Sequence, residues 1–334
     1  MANSYSMDIV QTAKAKLSAQ KRSVIFPEGT DDRIIQAAIR LHADLPNVEP
    51  ILVGDPVEID ARARSLNASP VDIKIIEPGN TTNKQDLIDA YLSVRPDTAH
   101  NVAERVIRKP LFLAGLMTRL GLVDAMVAGV TAPTARVIEA AMLTIGLEEG
   151  ISTPSSFFIM QPPDSTRTLE FADCAVNVEP TIEELAAIGI ASARSYKQLL
   201  GAIPRTAFLS FSTHGSAQHA TVTRIRDAAA LAKSLAPDLE FDGELQADAA
   251  LIDTIAKVKI KRESAVAGHA NVLIFPDLAS ANIAYKLVQH LGHATALGPF
   301  LQGFARPISD LSRGASVQDI VDTTIITLSR TVSA

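Results

Sequence analysis

Short apolar runs, each closed by Gly, Pro or Asp, alternate along this chain with longer stretches of helical periodicity. The runs are RSVIFPEG, EPILVGDP, VDIKIIEPG, DAMVAGV, TAFLSFSTHG and NVLIFPD. Their centres (VIF, ILV, LSF, VLIF) are continuously apolar and do not alternate, as expected of strands covered by helices on both faces. The pattern predicts an α/β fold with a mostly parallel sheet flanked by helices. Helices are expected over about 31–43, 97–108, 134–146, 181–199, 216–235, 279–291 and 316–329. Asp31 and Asp32 mark one start and Ser216 another, and Thr181 with Glu184 forms a Thr-x-x-Glu capping box after Pro180.

Two breaks organise these elements. A Gly-bounded acidic turn followed by a Ser/Thr/Pro stretch, GLEEGISTPSSFF, ends the first half, and the Gly- and Pro-rich ATALGPFLQGFARP follows near residue 300. A chain that leaves one sheet at the first break and returns at the second divides into residues 1–147 with 299–334 and residues 148–298, with a cleft between them. The length, 334 residues, suits two compact units or one large one.

Composition narrows the function. With 47% apolar and 20% charged residues the chain is globular, and 31 Lys and Arg against 37 Asp and Glu give a net charge of −6. No sequence-wide positive field gathers nucleic acid or anionic lipid, so a polyanionic ligand needs a local basic pocket. The single cysteine, Cys174, excludes an intrachain disulfide framework and fits a reducing compartment. The opening segment lacks the apolar stretch of a secretory signal, and the Ala-rich stretches are interrupted by charge; a cytoplasmic protein without nucleic-acid or membrane partners is expected.

No G-x-G-x-x-G follows a strand, and G-x-x-x-x-G-K, H-E-x-x-H and C-x-x-C are absent. His290 and His293 lack an acidic or thiol neighbour, so no metal site is expected, and His214, His219 and Cys174 show no nucleophile-and-base spacing. Attention moves to three polar loops. Asp310 to Asp319, DLSRGASVQD, sits at the mouth of the last helix. Spacing alone favours a plain helix start, Ser316 as N-cap and Asp319 as the third residue. The functional reading sets Ser312 and Arg313 before unpaired helix amides that favour an anion, with Asp319 placed to accept a proton from a group bound alongside. The loops 210–216 and 127–134 share the strand, hydroxyl, glycine and helix form. Each alone is ordinary capping chemistry; the three together make an anion-binding cleft more plausible.

Beyond these loops, the chain resembles the phosphate acetyltransferase (phosphotransacetylase) family over essentially its whole length. The resemblance is carried by VIFPEGTDDRIIQAA, DAMVAGV, TPSSFF, ADCAVNVEPT, FLSFSTHGSA, DLEFDGELQADAA, NVLIFPDLASANIAYK and GPFLQGFARPISDLSRGAS. It implies a two-domain isocitrate/isopropylmalate dehydrogenase-like fold, commonly a homodimer, with the active site in the interdomain cleft. The implied reaction is reversible transfer of acetyl between coenzyme A and phosphate, by direct attack of the CoA thiolate on acetyl phosphate in a ternary complex. CoA is then a substrate, and no tightly bound cofactor is expected. By the same resemblance the catalytic residues are Ser312, Arg313 and Asp319. Arg95 would meet a phosphate of CoA, and Gly129, Thr134 and Tyr285 would line the acetyl phosphate pocket.

The chain departs from the family pattern at several places. Ala132-Pro133-Thr134 replaces Asn-Thr-Thr, Glu139 stands where an Arg is expected with Arg136 one turn earlier, His214 takes a Lys position, and Ala281 takes a Gly position. These put acyl-chain preference and phosphate affinity in question, leaving a phosphate acyltransferase for propanoyl or butyryl groups as an alternative. A non-catalytic acetyl-CoA-binding regulatory module would call for degraded catalytic positions, yet DLSRG and Asp319 are intact. A dehydrogenase of the shared fold would need a metal-binding carboxylate cluster, which Asp173 and Asp277 alone do not supply.

Overall fold

A computed structural model describes residues 9–66, 73–163 and 167–332. The chain forms two compact units, one from Asp8–Gly150 with Phe304–Ala334 and one built on Ile151–Gly303.

The first unit opens with α1 (Ile9–Leu17), β1 (Arg22–Phe26), α2 (Asp32–Asp44), β2 (Val48–Val53), α3 (Pro56–Ser65) and β3 (Lys74–Ile76). It continues through α4 (Lys84–Val94), α5 (His100–Val106), α6 (Pro110–Arg119), β4 (Ala125–Ala128) and α7 (Thr134–Thr144). The second unit carries β5 (Ser155–Gln161), β6 (Leu169–Ala172), α8 (Ile182–Leu200), β7 (Arg205–Leu209), α9 (Ala220–Leu235) and β8 (Glu240–Leu245). Short α10 (Ala247–Leu251) and α11 (Asp253–Lys259) then lead to β9 (Val272–Ile274), α12 (Leu278–His290) and β10 (Thr295–Gln302). The chain returns to the first unit with β11 (Ile308–Asp310) and α13 (Val317–Ser329).

In the first unit the strand order is β3-β2-β1-β4-β11, and every adjacent pair is parallel. Val24, Ile25 and Phe26 of β1 and all of β4 are buried, which is why these strands read as unbroken apolar runs. Helix α2 contributes Ile34, Ile35, Ala37, Ala38 and Leu41 to the core, the spacing of a one-sided apolar stripe. The order runs outward from β1 to β2 and β3 on one side and to β4 on the other. Connections leaving β1 and β4 therefore diverge, and ligands in such sheets bind outside the carboxyl ends at that point.

The second unit has the order β10-β5-β6-β9-β7-β8, with β10–β5 and β5–β6 antiparallel and the remaining pairs parallel. Phe158, Phe171, Leu273 and Phe275 share its apolar core with Cys174, which is fully buried.

Local chemistry explains where expectation and structure part. Both capping boxes form, Thr181 with Glu184 and Ser316 with Asp319. Ser216 does not cap α9: its hydroxyl accepts the Thr213 N–H, and His219 caps the helix by accepting from Thr221 N–H. Thr134 does not cap α7 either; the N-cap is Pro133, and the Thr134 hydroxyl points to Asp310. Strand β10 runs through residues 298 and 299, where the sequence suggested a crossing. The Gly298-Pro299 pair coincides with a register shift between Leu297 and Phe300, so it bends the strand without ending it.

Candidate active site

Three loops at the carboxyl ends of adjacent strands meet in the first unit: residues 27–31 after β1, 129–133 after β4 and 311–316 after β11. Against the first two of them, at the diverging connections of β1 and β4, lies a cavity of about 940 Å³ that no residue of 311–316 lines. Its walls carry four cations, Arg33, Arg62, Lys109 and Arg136, three acids, Glu28, Asp31 and Asp32, and the apolar Pro27, Pro110, Leu111 and Phe112. Lys109 precedes Pro110, the first residue of α6, and its ammonium stands 5.5 Å from the Phe112 ring centre. Arg62 is held by Glu58 and Asp32, and Arg136 by Glu139 at 2.7 Å. The replacement of Arg by Glu139 thus partly neutralises a cation on the cavity wall.

The loop after β4 has the backbone amides of an anion nest, and the protein supplies the anion. Glu28 Oε2 accepts the N–H groups of Gly129 (2.7 Å) and Val130 (2.9 Å). Its Oε1 accepts those of Thr131 (2.9 Å) and Ala132 (2.7 Å) together with the Thr131 hydroxyl (2.7 Å). The same device recurs in the second unit, where the buried Glu244 accepts from Gly215 N–H and the Ser212 hydroxyl. Two of the three loops that read as anion cradles are therefore closed by internal glutamates.

Gly129 is required for a different reason. Its φ of +113° is glycine territory, and a Cβ there would lie 2.1 Å from Asp310 Oδ1 and 2.6 Å from Leu311 N. Asp310, at the end of β11, is 1% exposed. Its Oδ2 accepts the Thr134 hydroxyl at 2.5 Å, and its Oδ1 is buried with no hydrogen-bond partner. Burial pushes the Asp310 pKa up to about 7; the Thr134 hydroxyl bond and the adjacent Leu311 N–H dipole pull against that rise, and the nearby Glu28 charge adds to it.

The third loop differs. Ser312, Arg313 and Gly314 are exposed, the Ser312 Oγ accepts only the Gly314 N–H (3.2 Å), and no ion pair or side-chain hydrogen bond engages the Arg313 guanidinium among the described residues. Asp319, also exposed, closes the helix start: its Oδ2 accepts the Ser316 N–H (2.9 Å) and hydroxyl (2.8 Å). The backbone of this loop is tied down by Arg33, whose Nη1 donates to the carbonyls of Arg313 (2.7 Å) and Ala315 (3.3 Å). Burial would raise the Asp31 pKa, but its hydrogen bonds and charge contact with Arg33 outweigh that and hold it below the usual range.

Of the residues expected at the site, Ser312 and Arg313 lie in the loop after β11 and Gly129 in the loop after β4, Thr134 and Asp319 sit in the first turns of the helices that follow, and none of the five lines the cavity. Arg95 stands exposed at the C-cap of α4, its N–H bonded to the Tyr91 carbonyl, and is not among the cavity's lining residues. Tyr285 belongs to the second unit, its ring stacked on Phe158 at 4.2 Å. Sequence reasoning missed Glu28, Arg33 and Asp310. The signal lay in FPEG, an acid directly after a strand, and in the acid that opens DLSRG.

These features define an α/β protein whose exposed hydroxyl and guanidinium stand at the carboxyl end of a parallel sheet, near a cavity lined by both cations and acids. Residues 6–328 match the phosphate acetyl/butaryl transferase family, and the chain belongs to it. It is 42% identical over 321 residues to a phosphate acetyltransferase of Paracoccus denitrificans, covering 94% of this chain and 96% of that one. The crystal structure of a phosphotransacetylase from Streptococcus pyogenes superposes with a TM-score of 0.92 at 37% identity, covering 98% of each chain. A 4-hydroxythreonine-4-phosphate dehydrogenase from Klebsiella pneumoniae, at TM-score 0.54 and 12% identity over 95% of this chain and 99% of its own, shares the fold alone.

Proposed function

We propose that this protein is a phosphate acetyltransferase, converting acetyl-CoA and phosphate reversibly into CoA and acetyl phosphate. The observation that carries the reading is the Ser312-Arg313 loop, whose hydroxyl and guanidinium stay available while the other two loops are filled by glutamates. Arg313 offsets the charge of the phosphate and of the carbonyl oxygen in the tetrahedral transition state, and Ser312 hydrogen-bonds the reacting group. A thiol with a pKa of about 8.5 is mostly protonated at neutral pH and must lose its proton to become the nucleophile. Both Ser316 bonds fall on Asp319 Oδ2, which leaves Oδ1 to accept that proton. The sulfur then bonds to the carbonyl carbon, the bond from that carbon to the phosphate oxygen breaks, and phosphate departs.

Direct attack fits the cysteine chemistry. Cys174, the one cysteine of the chain, is fully buried, and burial pushes its thiol well above the ordinary range, so it makes a poor acyl carrier. The cavity, with Lys109 and Phe112 on one wall, is a place for a phosphate and the adenine of CoA. Arg95, exposed, is a further contact for a CoA phosphate, and the Tyr285 hydroxyl one for acetyl phosphate. Thr134 and Gly129 act by shaping the loop around Asp310. A cytoplasmic homodimer completes the proposal: no described helix is long and apolar enough to cross a membrane, and α12 leaves Ile283 and Leu287 exposed one turn apart. Sedimentation velocity on the purified protein reads the dimer directly.

The test is CoA-dependent cleavage of acetyl phosphate, followed by thioester absorbance, with propanoyl and butyryl phosphates in parallel. Arg313→Ala should lower kcat by about 100- to 1,000-fold, and Asp319→Asn by about 100-fold or more. Full activity in both variants would remove the site assignment.

A further inference from the structure

We propose that Arg33 is a positioning residue for this reaction, acting through the backbone of the loop that presents Ser312 and Arg313; the inference rests on the activity proposed above. All three guanidinium nitrogens of Arg33 are engaged. Its Nε and Nη2 fork onto the two carboxylate oxygens of Asp31 at 3.0 and 2.9 Å. Beyond the two carbonyls of the catalytic loop, Nη2 also donates to the Val130 carbonyl at 3.0 Å. One side chain thus joins the loop after β1, the loop after β4 and the loop after β11.

The anchor of this bridge is rigid. Asp31 is the N-cap of α2 and accepts the Arg33 N–H at 2.9 Å, while Ile34 and Ile35 in the same turn are completely buried. Buried Leu311 and Ala315 and the Ala315 N–H to Ser312 carbonyl bond pin the ends of the loop, while Ser312, Arg313 and Gly314 between them are exposed, and the Arg313 carbonyl is held by Arg33. Geometry at residue 313 therefore depends on donors to its carbonyl, and a misplacement of about 1 Å at a reacting group costs on the order of 100-fold in rate. Lysine cannot replace this arrangement, because a single ammonium has no planar fork with which to grip Asp31 while reaching carbonyls on two further loops. Asp31 also offsets the charge of Arg33, so Arg313 is left as the uncompensated cation of the loop. Arg33 also lines the cavity, but its guanidinium nitrogens are engaged by Asp31 and three loop carbonyls, so its effect on the reacting atoms runs through that backbone.

The experiment measures kcat, KM for CoA and melting temperature for the parent, Arg33→Lys, Asp31→Asn, Arg313→Ala and the Arg33→Lys/Arg313→Ala pair. Arg33→Lys should lower kcat by about 10- to 100-fold with KM for CoA within about threefold of the parent. In the Arg313→Ala background the same change should cost less than about threefold, because its route to the chemistry is gone. Asp31→Asn keeps an acceptor for the helix cap but breaks the charged fork, and should show a smaller kcat loss in the same direction; it carries the test if Arg33→Lys does not fold. Equal losses in both backgrounds, a loss confined to KM, or an unchanged kcat in the folded variant would overturn the positioning role. Parental turnover in Arg313→Ala would overturn the site assignment itself and this inference with it.

Discussion

Replacing Asp310 by asparagine removes one buried titration and leaves the shape of the site nearly intact. The carboxyl is almost fully buried, with a pKa of about 7 against an ordinary 3.8. A group whose folded-state pKa is raised binds its proton more tightly in the native protein, so between pH 3.8 and about 7 the folded state holds the extra proton. Stability from this group therefore falls as pH rises through that window and levels off above it. The full displacement, roughly 3 pH units at 1.36 kcal/mol each, corresponds to about 4 kcal/mol; the part crossed between pH 5 and 8 is about 3 kcal/mol. Asparagine keeps an acceptor for the Thr134 hydroxyl and carries no titrating group. Equilibrium urea unfolding at pH 5, 6, 7 and 8, read by circular dichroism, should show the variant gaining on the parent by about 3 kcal/mol over that range. A difference that stays constant with pH would refute the assignment of a raised pKa to Asp310.

Three further outcomes follow from the same geometry. Glu28→Gln sets an amide N–H2 against two of the four backbone donors and should cost about 2–4 kcal/mol, seen as a melting temperature several degrees lower. Glu139→Gln frees Arg136 on the cavity wall and should lower KM for CoA about two- to fivefold at low ionic strength, with kcat unchanged and the gain shrinking in high salt. Cys174 should resist iodoacetamide in the folded protein, and Cys174→Ala should keep full turnover, as a direct attack requires.

Local signals carried much of the fold. The apolar runs at β1, β2, β4, β7 and β9 and both capping boxes depend on a few adjacent residues, and all are formed. What escaped was decided by distant partners. Strand β10, TALGPFLQ, contains a Gly-Pro pair that locally predicts a break, and it becomes a strand because β5 pairs with it on both sides of the bulge. At the site, DLSRG could be found by its residue types. The functions of Glu28 and Arg33 could not, since their partners lie 101 to 104 and up to 282 residues away. Both FPEG and VAGV were visible as strand ends; that one closes the other follows from β1 and β4 lying side by side.

The glutamate seated in the loop after β4 also bears on traffic. A catalyst that runs in both directions has to let inorganic phosphate go as readily as it takes it up. Ringed by unoccupied amides, the departing ion would linger and turnover would be limited by escape. With those amides already answered from within, the loop after β4 has none of these four donors left to detain the ion.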